Sequence, residues 1–312
     1  CVPAGDGSGS AGVERSRSLA RLVPAVRPVV SPNGHHADEH ARVSDASQRV
    51  PSDSVLVAIA HPDDETLAMG GTLARLARCG RRVSIVCATR GESGWIADPY
   101  LATPKTLAAV REQELRSAAQ ILGVEDVQLL DYRDGTLPCI DPTELTEAFA
   151  RVMRQRRPAV VVTWGADGGY GHPDHVAVHE AVTRAFLQAV KEANGPRALY
   201  YFAVQPPRLS QVLRRLRHRH TPPPGTLSRR RAQGSTTVID VSAFRTLRQR
   251  ALRQYRSQVP ADIWLLGLTT LLAPRNNFAF SHVERFHRAY PAVQPGEAVE
   301  RTLWSEPTRA LR

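Results

Sequence analysis

Two short stretches hold residues able to do chemistry together. The first is Ala60-His61-Pro62-Asp63-Asp64-Glu65 and the second is Gly171-His172-Pro173-Asp174-His175. Imidazole and carboxylate are ordinary ligands of zinc, and a catalytic zinc site keeps one position open for water. Adjacent aspartates can divide the work, one binding a metal while its neighbour, pointing elsewhere, takes a proton from water. Two histidines three residues apart, beside an aspartate, can add a third ligand and a separate acid. A helix N-cap would explain an acid at either place. It does not explain why the second histidine-proline-aspartate stretch follows the first.

Both stretches occupy the same kind of place in the chain. Each follows an apolar run, 55–60 or 159–164, and each precedes a helix-patterned segment, 65–79 or 176–190. Parallel strands of one sheet end on the same edge, so loops distant in sequence can meet there. In open α/β sheets that crevice is where ligands bind. The intervening chain fits this plan. Residues 82–89 form a continuous apolar run, as expected of a parallel strand covered on both faces. Residues 105–122 read as an amphipathic helix, and 127–130 as a third strand leading into Asp131-Tyr132-Arg133-Asp134-Gly135. Asp141-Pro142 opens another helix, with aspartate as N-cap and proline in the first turn. The alternation predicts an α/β fold: a mostly parallel, doubly wound sheet with helices on both faces. A fifth strand is expected at 199–204 and a last one at 237–241. Ser242 is then expected to cap a helix running to 257, with a further helix at 261–272. Gly70-Gly71 lies inside the first helix at a cost of about 1 kcal/mol per glycine, so a close packing contact is expected there.

Composition sets the outer limits. The 312 residues suffice for one large α/β domain or two small ones. Residues 1–50 lack periodicity, are rich in Ser, Gly, Pro and Arg, and are expected to be a disordered tail. The catalytic domain is expected at 51–290 and a C-terminal tail at 291–312. Residues 205–236 form a Pro/Arg-rich insertion or flap. The net charge of +11 comes almost wholly from arginine, which permits anionic partners without specifying one. No aromatics interleave the arginines of 205–236, which argues against single-stranded nucleic acid. The four cysteines form no CxxC, so buried free thiols are expected in place of a thiolate metal site or a disulfide framework. No apolar run reaches the length of a membrane span. A cytoplasmic location is expected. The chain opens on Cys1, which also fits a lipidated terminus or a truncated reading frame.

At this point the residues match a known family. The chain resembles the zinc-dependent LmbE-like (PIG-L) N-deacetylases from about residue 54 to about 286. The resemblance rests on the two histidine stretches, Gly70-Gly71, Thr89-Arg90-Gly91-Glu92, Arg111-Glu112-Gln113-Glu114-Leu115-Arg116 and Tyr255-Arg256-Ser257-Gln258. It implies a Rossmann-like fold and removal of an acyl group, usually acetyl, from an amino sugar or related amide. Carried over by motif, His61, Asp64 and His175 would bind Zn2+, with Fe2+ able to compete at such a nitrogen and oxygen site. Asp63 would be the general base. His172 would stabilise the oxyanion or donate a proton, and Tyr170 would lie near the reacting carbonyl. Asp174 would orient a neighbouring histidine. Arg90, Glu92, Arg111 and Asp134, near the same sheet edge, are expected to contact sugar hydroxyls, with ordinary salt bridges and caps as the competing explanation.

The expected partner is a small amino-sugar or glycoconjugate substrate, and a homo-oligomer is compatible with the sequence. Members of the family also act on larger thiol conjugates and glycopeptides, an alternative use of the same site. A dinucleotide-binding protein is disfavoured because no glycine-rich turn follows the first strand. A basic nucleic-acid-binding module on an inactive enzyme fold is the remaining alternative of another class.

Overall fold

A computed structural model of the chain describes residues 54–203, 234–259 and 281–303. Most of the expected tail at 1–50 and flap at 205–236, the helix at 261–272 and the last nine residues lie outside them. Seven strands form one sheet in the order β3-β2-β1-β4-β5-β7-β6. They are β1 (Ser54–Ile59), β2 (Arg82–Thr89), β3 (Asp126–Tyr132), β4 (Val160–Thr163), β5 (Ala198–Phe202), β6 (Thr237–Asp240) and β7 (Val283–Tyr290). The first five are mutually parallel, and β7 runs antiparallel to both β5 and β6. The central strands β1 and β4 are buried at every position, which is why they read as unbroken apolar runs.

The helices are α1 (Asp64–Arg78), α2 (Leu107–Leu122), α3 (Pro142–Arg156), the single turn α4 (Gly168–Gly171), α5 (Pro173–Ala189) and α6 (Arg245–Leu252). Helix α3 packs on α5, whereas α1 packs on α2 and α6. Strand order advances from β1 through β2 to β3 on one side, and from β4 to β5 on the other. The reversal therefore falls between β1 and β4. The two histidine stretches leave the C-terminal ends of these two strands, at the topological switch point.

Several expectations hold in detail. Asp141 caps α3, its carboxylate accepting from the amides of Thr143 and Glu144 with Pro142 in the first turn. A Cβ on Gly71 would stand 2.6 Å from Val241 Cβ, so only glycine allows α1 to lie this close to the chain after β6. Others are corrected. Ser242 does not cap a long helix: its amide donates to Asp240 Oδ1, and a 3-10 turn (Ser242–Phe244) leads into α6, which stops at Leu252. Strand β7 escaped the hydrophobic pattern because its inward positions are Glu284, Phe286 and Arg288, two of them charged. Residues 291–303, expected as tail, pack back on β6. Glu300 bridges to Thr237, Arg288 pairs with Glu297 and Glu300, and Leu303 is buried. Of the described cysteines, all free, Cys87 is buried but Cys79 and Cys139 are exposed.

Helix α1 is broken at Met69, whose φ of −151° is not helical. Side chains from the end of the described chain repair the break. The Glu284 carboxylate accepts from the amides of Gly71 (2.9 Å) and Thr72 (2.7 Å). Arg248 donates to the carbonyls of Thr66 (3.1 Å) and Leu67 (2.6 Å) and lies 3.2 Å from Glu284.

Candidate metal centre

The turn after β1 brings His61 and Asp64 into register. Asp64 Oδ2 accepts from the amides of Ala60 and His61, folding the carboxylate back over the end of the strand. The turn after β4 delivers His175. Gly168, Gly169 and Gly171 all have positive φ, which lets the chain curl so that the Gly168 carbonyl meets His175 Nδ1 at 3.1 Å. A ring nitrogen facing a carbonyl must donate, so Nε2 carries the lone pair. Trp164 stacks on the same ring, 3.9 Å between centroids and 10° between planes.

Three donors then face one another. His61 Nδ1 lies 3.2 Å from His175 Nε2 and 3.7 Å from Asp64 Oδ2, and His175 Nε2 lies 3.4 Å from Asp64 Oδ1. Donors held at roughly 2.1 Å in a tetrahedral arrangement stand about 3.4 Å apart, so this set fits a metal such as zinc. The other side of His61 is also occupied. Its Nε2 lies 3.0 Å from Asp134 Oδ1 and 3.1 Å from Asp174 Oδ2. Burial opposes protonation of His61, yet the Asp134 and Asp174 hydrogen bonds and the charge of Asp64 outweigh it and push the pKa up to about 10. Burial likewise opposes ionisation of Asp64, but His175 and His61 hold its carboxyl below the usual range. An enclosure this rich in carboxylate favours a cation. His61, His172 and His175 form a second trio with one donor atom each within 4.8 Å, and His61, Asp134 and Asp174 a third.

The remaining expected residues take distinct places. Asp174 is fully buried and accepts from the amides of Gly135 (2.7 Å) and Leu137 (3.2 Å), with its Oδ2 3.1 Å from His61 Nε2. His172 stacks 4.7 Å from His175, and its Nδ1 accepts from the Asp174 amide at 3.2 Å. Its protonated nitrogen is therefore Nε2. Tyr170 packs edge-on against His172 and His175, with centroids at 5.9 and 5.2 Å. Asp63 adopts φ 110°, a left-handed conformation uncommon outside glycine, and Arg111 lies 3.1 Å from its carboxylate.

The four residues expected at sugar hydroxyls each make contacts within the protein. Arg111 is only 4% exposed and donates to the carbonyls of Pro62 and Gly91 as well as to Asp63. Asp134 faces His61 and accepts from the Ser93 amide at 3.0 Å. Glu92 accepts from the Asp134 amide. Arg90 pairs with Glu112 and Asp131 at the surface. Sequence position placed all four near the right edge. It could not show which protein groups each of them meets.

One group was missed. Glu65 is fully buried, accepts from the Tyr255 hydroxyl at 2.5 Å and from the Thr66 hydroxyl, and takes the Asp63 amide on its other oxygen. Burial raises its pKa to about 7 against the opposing bonds from Thr66 and Tyr255. The signal was present in two stretches quoted above: the 111–116 and 255–258 segments meet, Glu114 accepting from both the amide and the hydroxyl of Ser257 at 2.7 and 2.6 Å.

Comparison with known proteins agrees with this geometry. The family model described as PIG-L, GlcNAc-PI de-N-acetylase, matches residues 56–186. The 1D-myo-inositol 2-acetamido-2-deoxy-alpha-D-glucopyranoside deacetylase of Kineococcus radiotolerans is 36% identical over 251 residues, covering 67% of this chain and 70% of its own. Among solved structures, N,N'-diacetylchitobiose deacetylase from Pyrococcus horikoshii superposes with a TM-score of 0.55 at 22% identity, covering 76% of this chain and 83% of that one. GalB, a 4-carboxy-2-hydroxymuconate hydratase from Pseudomonas putida, shares the fold at TM-score 0.52 and 20% identity, covering 79% of this chain and all of that one. The last two likenesses show the fold alone, and a hydratase among them shows that the fold does not choose the reaction.

Proposed function

The chain belongs to the PIG-L (LmbE-like) family of metal-dependent de-N-acetylases, and from that premise we propose that it hydrolyses the acetamide of a 2-acetamido-2-deoxy-glucopyranoside, with zinc as its metal. The observation that carries the proposal is the convergence of His61, Asp64 and His175 within 3.2–3.7 Å of one another, with Asp63 next in sequence. The substrate class follows the activity of the Kineococcus relative.

His61, Asp64 and His175 would hold the ion, which when bound would supply Lewis acidity and lower the pKa of water to ~7. Asp63 accepts the proton released as water attacks the amide carbon, with the Arg111 guanidinium 3.1 Å from its carboxylate. His172 presents Nε2–H as a donor to the developing oxyanion, because its Nδ1 is committed to the Asp174 amide. Tyr170, edge-on to His172, adds a phenol on the same side. Asp174 and Asp134 hold the His61 ring from behind. Among the described residues, no helix is long and apolar enough to cross a membrane.

Metal analysis beside amine release from a panel of N-acetylglucosamine derivatives, before and after chelation, tests the reading. Near-stoichiometric zinc with chelator-sensitive release is the expected outcome. His175→Ala is expected to lose the metal. Metal without turnover on any simple sugar would redirect the substrate to larger thiol conjugates or glycopeptides. A protein still empty after zinc addition would overturn the proposal.

A further inference from the structure

The peptide group joining Pro62 to Asp63 is gripped at both ends. Its carbonyl oxygen accepts from Arg111 Nη2 at 2.5 Å, and its N–H donates to Glu65 Oε2 at 3.2 Å. The same Nη2 lies 3.1 Å from Asp63 Oδ2, while Nη1 donates to the Gly91 carbonyl at 2.7 Å. Both gripping side chains are buried. Their charges are matched to the peptide: a cation meets the carbonyl and a carboxylate meets the N–H. Rotating the peptide by half a turn would aim its N–H at the guanidinium and its oxygen at the carboxylate. Only one orientation is therefore tolerated. That orientation leaves Asp63 at φ 110° and ψ −25°, a strained conformation for a non-glycine residue that persists only where surrounding groups impose it.

The grip is anchored from far along the chain. Tyr255 donates its hydroxyl to Glu65 at 2.5 Å. Ser257, two residues on, binds Glu114, which lies one helical turn after Arg111 on α2. One segment thus locates both gripping residues.

We propose that Arg111, Glu65 and Tyr255 are positioning residues: they hold the Pro62–Asp63 peptide in its strained orientation and so aim the Asp63 carboxylate at the attacking water. The proposal rests on the reading of Asp63 as general base. It gives Arg111 a task other than binding sugar.

The test uses the full-length, zinc-loaded chain. In Arg111→Ala we expect bound zinc and KM to stay as in wild type and kcat to fall about 100-fold, the cost of misplacing a reacting group by roughly 1 Å. Added guanidinium should restore part of that kcat, and methylammonium should not, since only a planar fork reaches two oxygens at once. Tyr255→Phe, a milder change that keeps the ring packing, should lower kcat about tenfold at constant KM. A rise in KM at constant kcat would make Arg111 a substrate contact and overturn the proposal, as would unchanged kcat in both variants. Hydrogen exchange at the Asp63 amide tests the grip without any substrate. Protection should drop in Tyr255→Phe, and equal protection would overturn the proposal whether or not the deacetylase reading survives.

Discussion

Residues 54–203 contribute the proposed ligands, base and oxyanion donor, and the family model matches within them, at 56–186. Residues 234–259 and 281–303 contribute none of these groups, yet they hold the catalytic helix and turn from outside through Glu284, Arg248 and Tyr255. The first region is built of parallel strands and crossover helices, so its reacting groups arrive at one edge by topology alone. The second adds two antiparallel strands and a short helix, and its polar side chains reach back to main-chain groups that the first region leaves open. Chemistry and geometry are thus drawn from different parts of one chain, and the two kinds of residue should fail differently when changed.

The sharpest contrast comes from Asp63→Asn. Metal content and thermal stability should stay near wild type while kcat falls by about 10²–10⁴, the usual contribution of a general base; retained turnover would remove Asp63 from that role. Glu284→Ala should show the reverse pattern. It removes the carboxylate 3.2 Å from the buried Arg248 guanidinium, and breaking such a buried pair typically costs about 3–5 kcal/mol; it also uncaps Gly71 and Thr72. Thermal or denaturant unfolding should register the loss, with kcat per folded, metal-loaded molecule changing far less. If kcat collapsed while stability held, the division drawn above would break.

Gly71→Ala is a smaller test of the same contact surface. The new methyl would press on Val241, costing about 1–3 kcal/mol by overpacking against a helix-propensity gain of about 1 kcal/mol. A small net destabilisation with unchanged KM is expected. Smallest of all is Arg90→Ala. Its partners Glu112 and Asp131 lie at the surface, where such pairs are worth about 0–1 kcal/mol. Both stability and KM should barely move, and a several-fold rise in KM would return Arg90 to the substrate.

The first region was legible from sequence because its signals are local. An apolar run followed by His-Pro-Asp-Asp states both a strand end and a donor set, and the same holds for His172 to His175. Arg111 and Asp134 were placed at the correct edge, but their protein neighbours were not legible, because burial against Pro62, Gly91 and His61 depends on chain segments 20 to more than 70 residues away. Strand β7 was illegible for a stronger reason. Glu284 and Arg288 occupy its inward positions as counter-charges to α1, α6 and the segment around Glu300, so hydrophobic alternation is absent where the structure needs it least. Tyr255 and Ser257 were noticed as a pattern, but no local rule says that they bind Glu65 and Glu114.

The break in α1 has a consequence in time. Glu284 caps amides that precede it by 213 and 212 residues. At ordinary rates of protein synthesis, roughly 10–40 s separate their emergence from the ribosome. Through that interval a nascent chain already carries His61, Asp64 and His175, but the helix that follows the metal turn has no cap for its second half. Completion of the catalytic helix therefore waits for nearly the last described strand, and the enzyme matures from its far end.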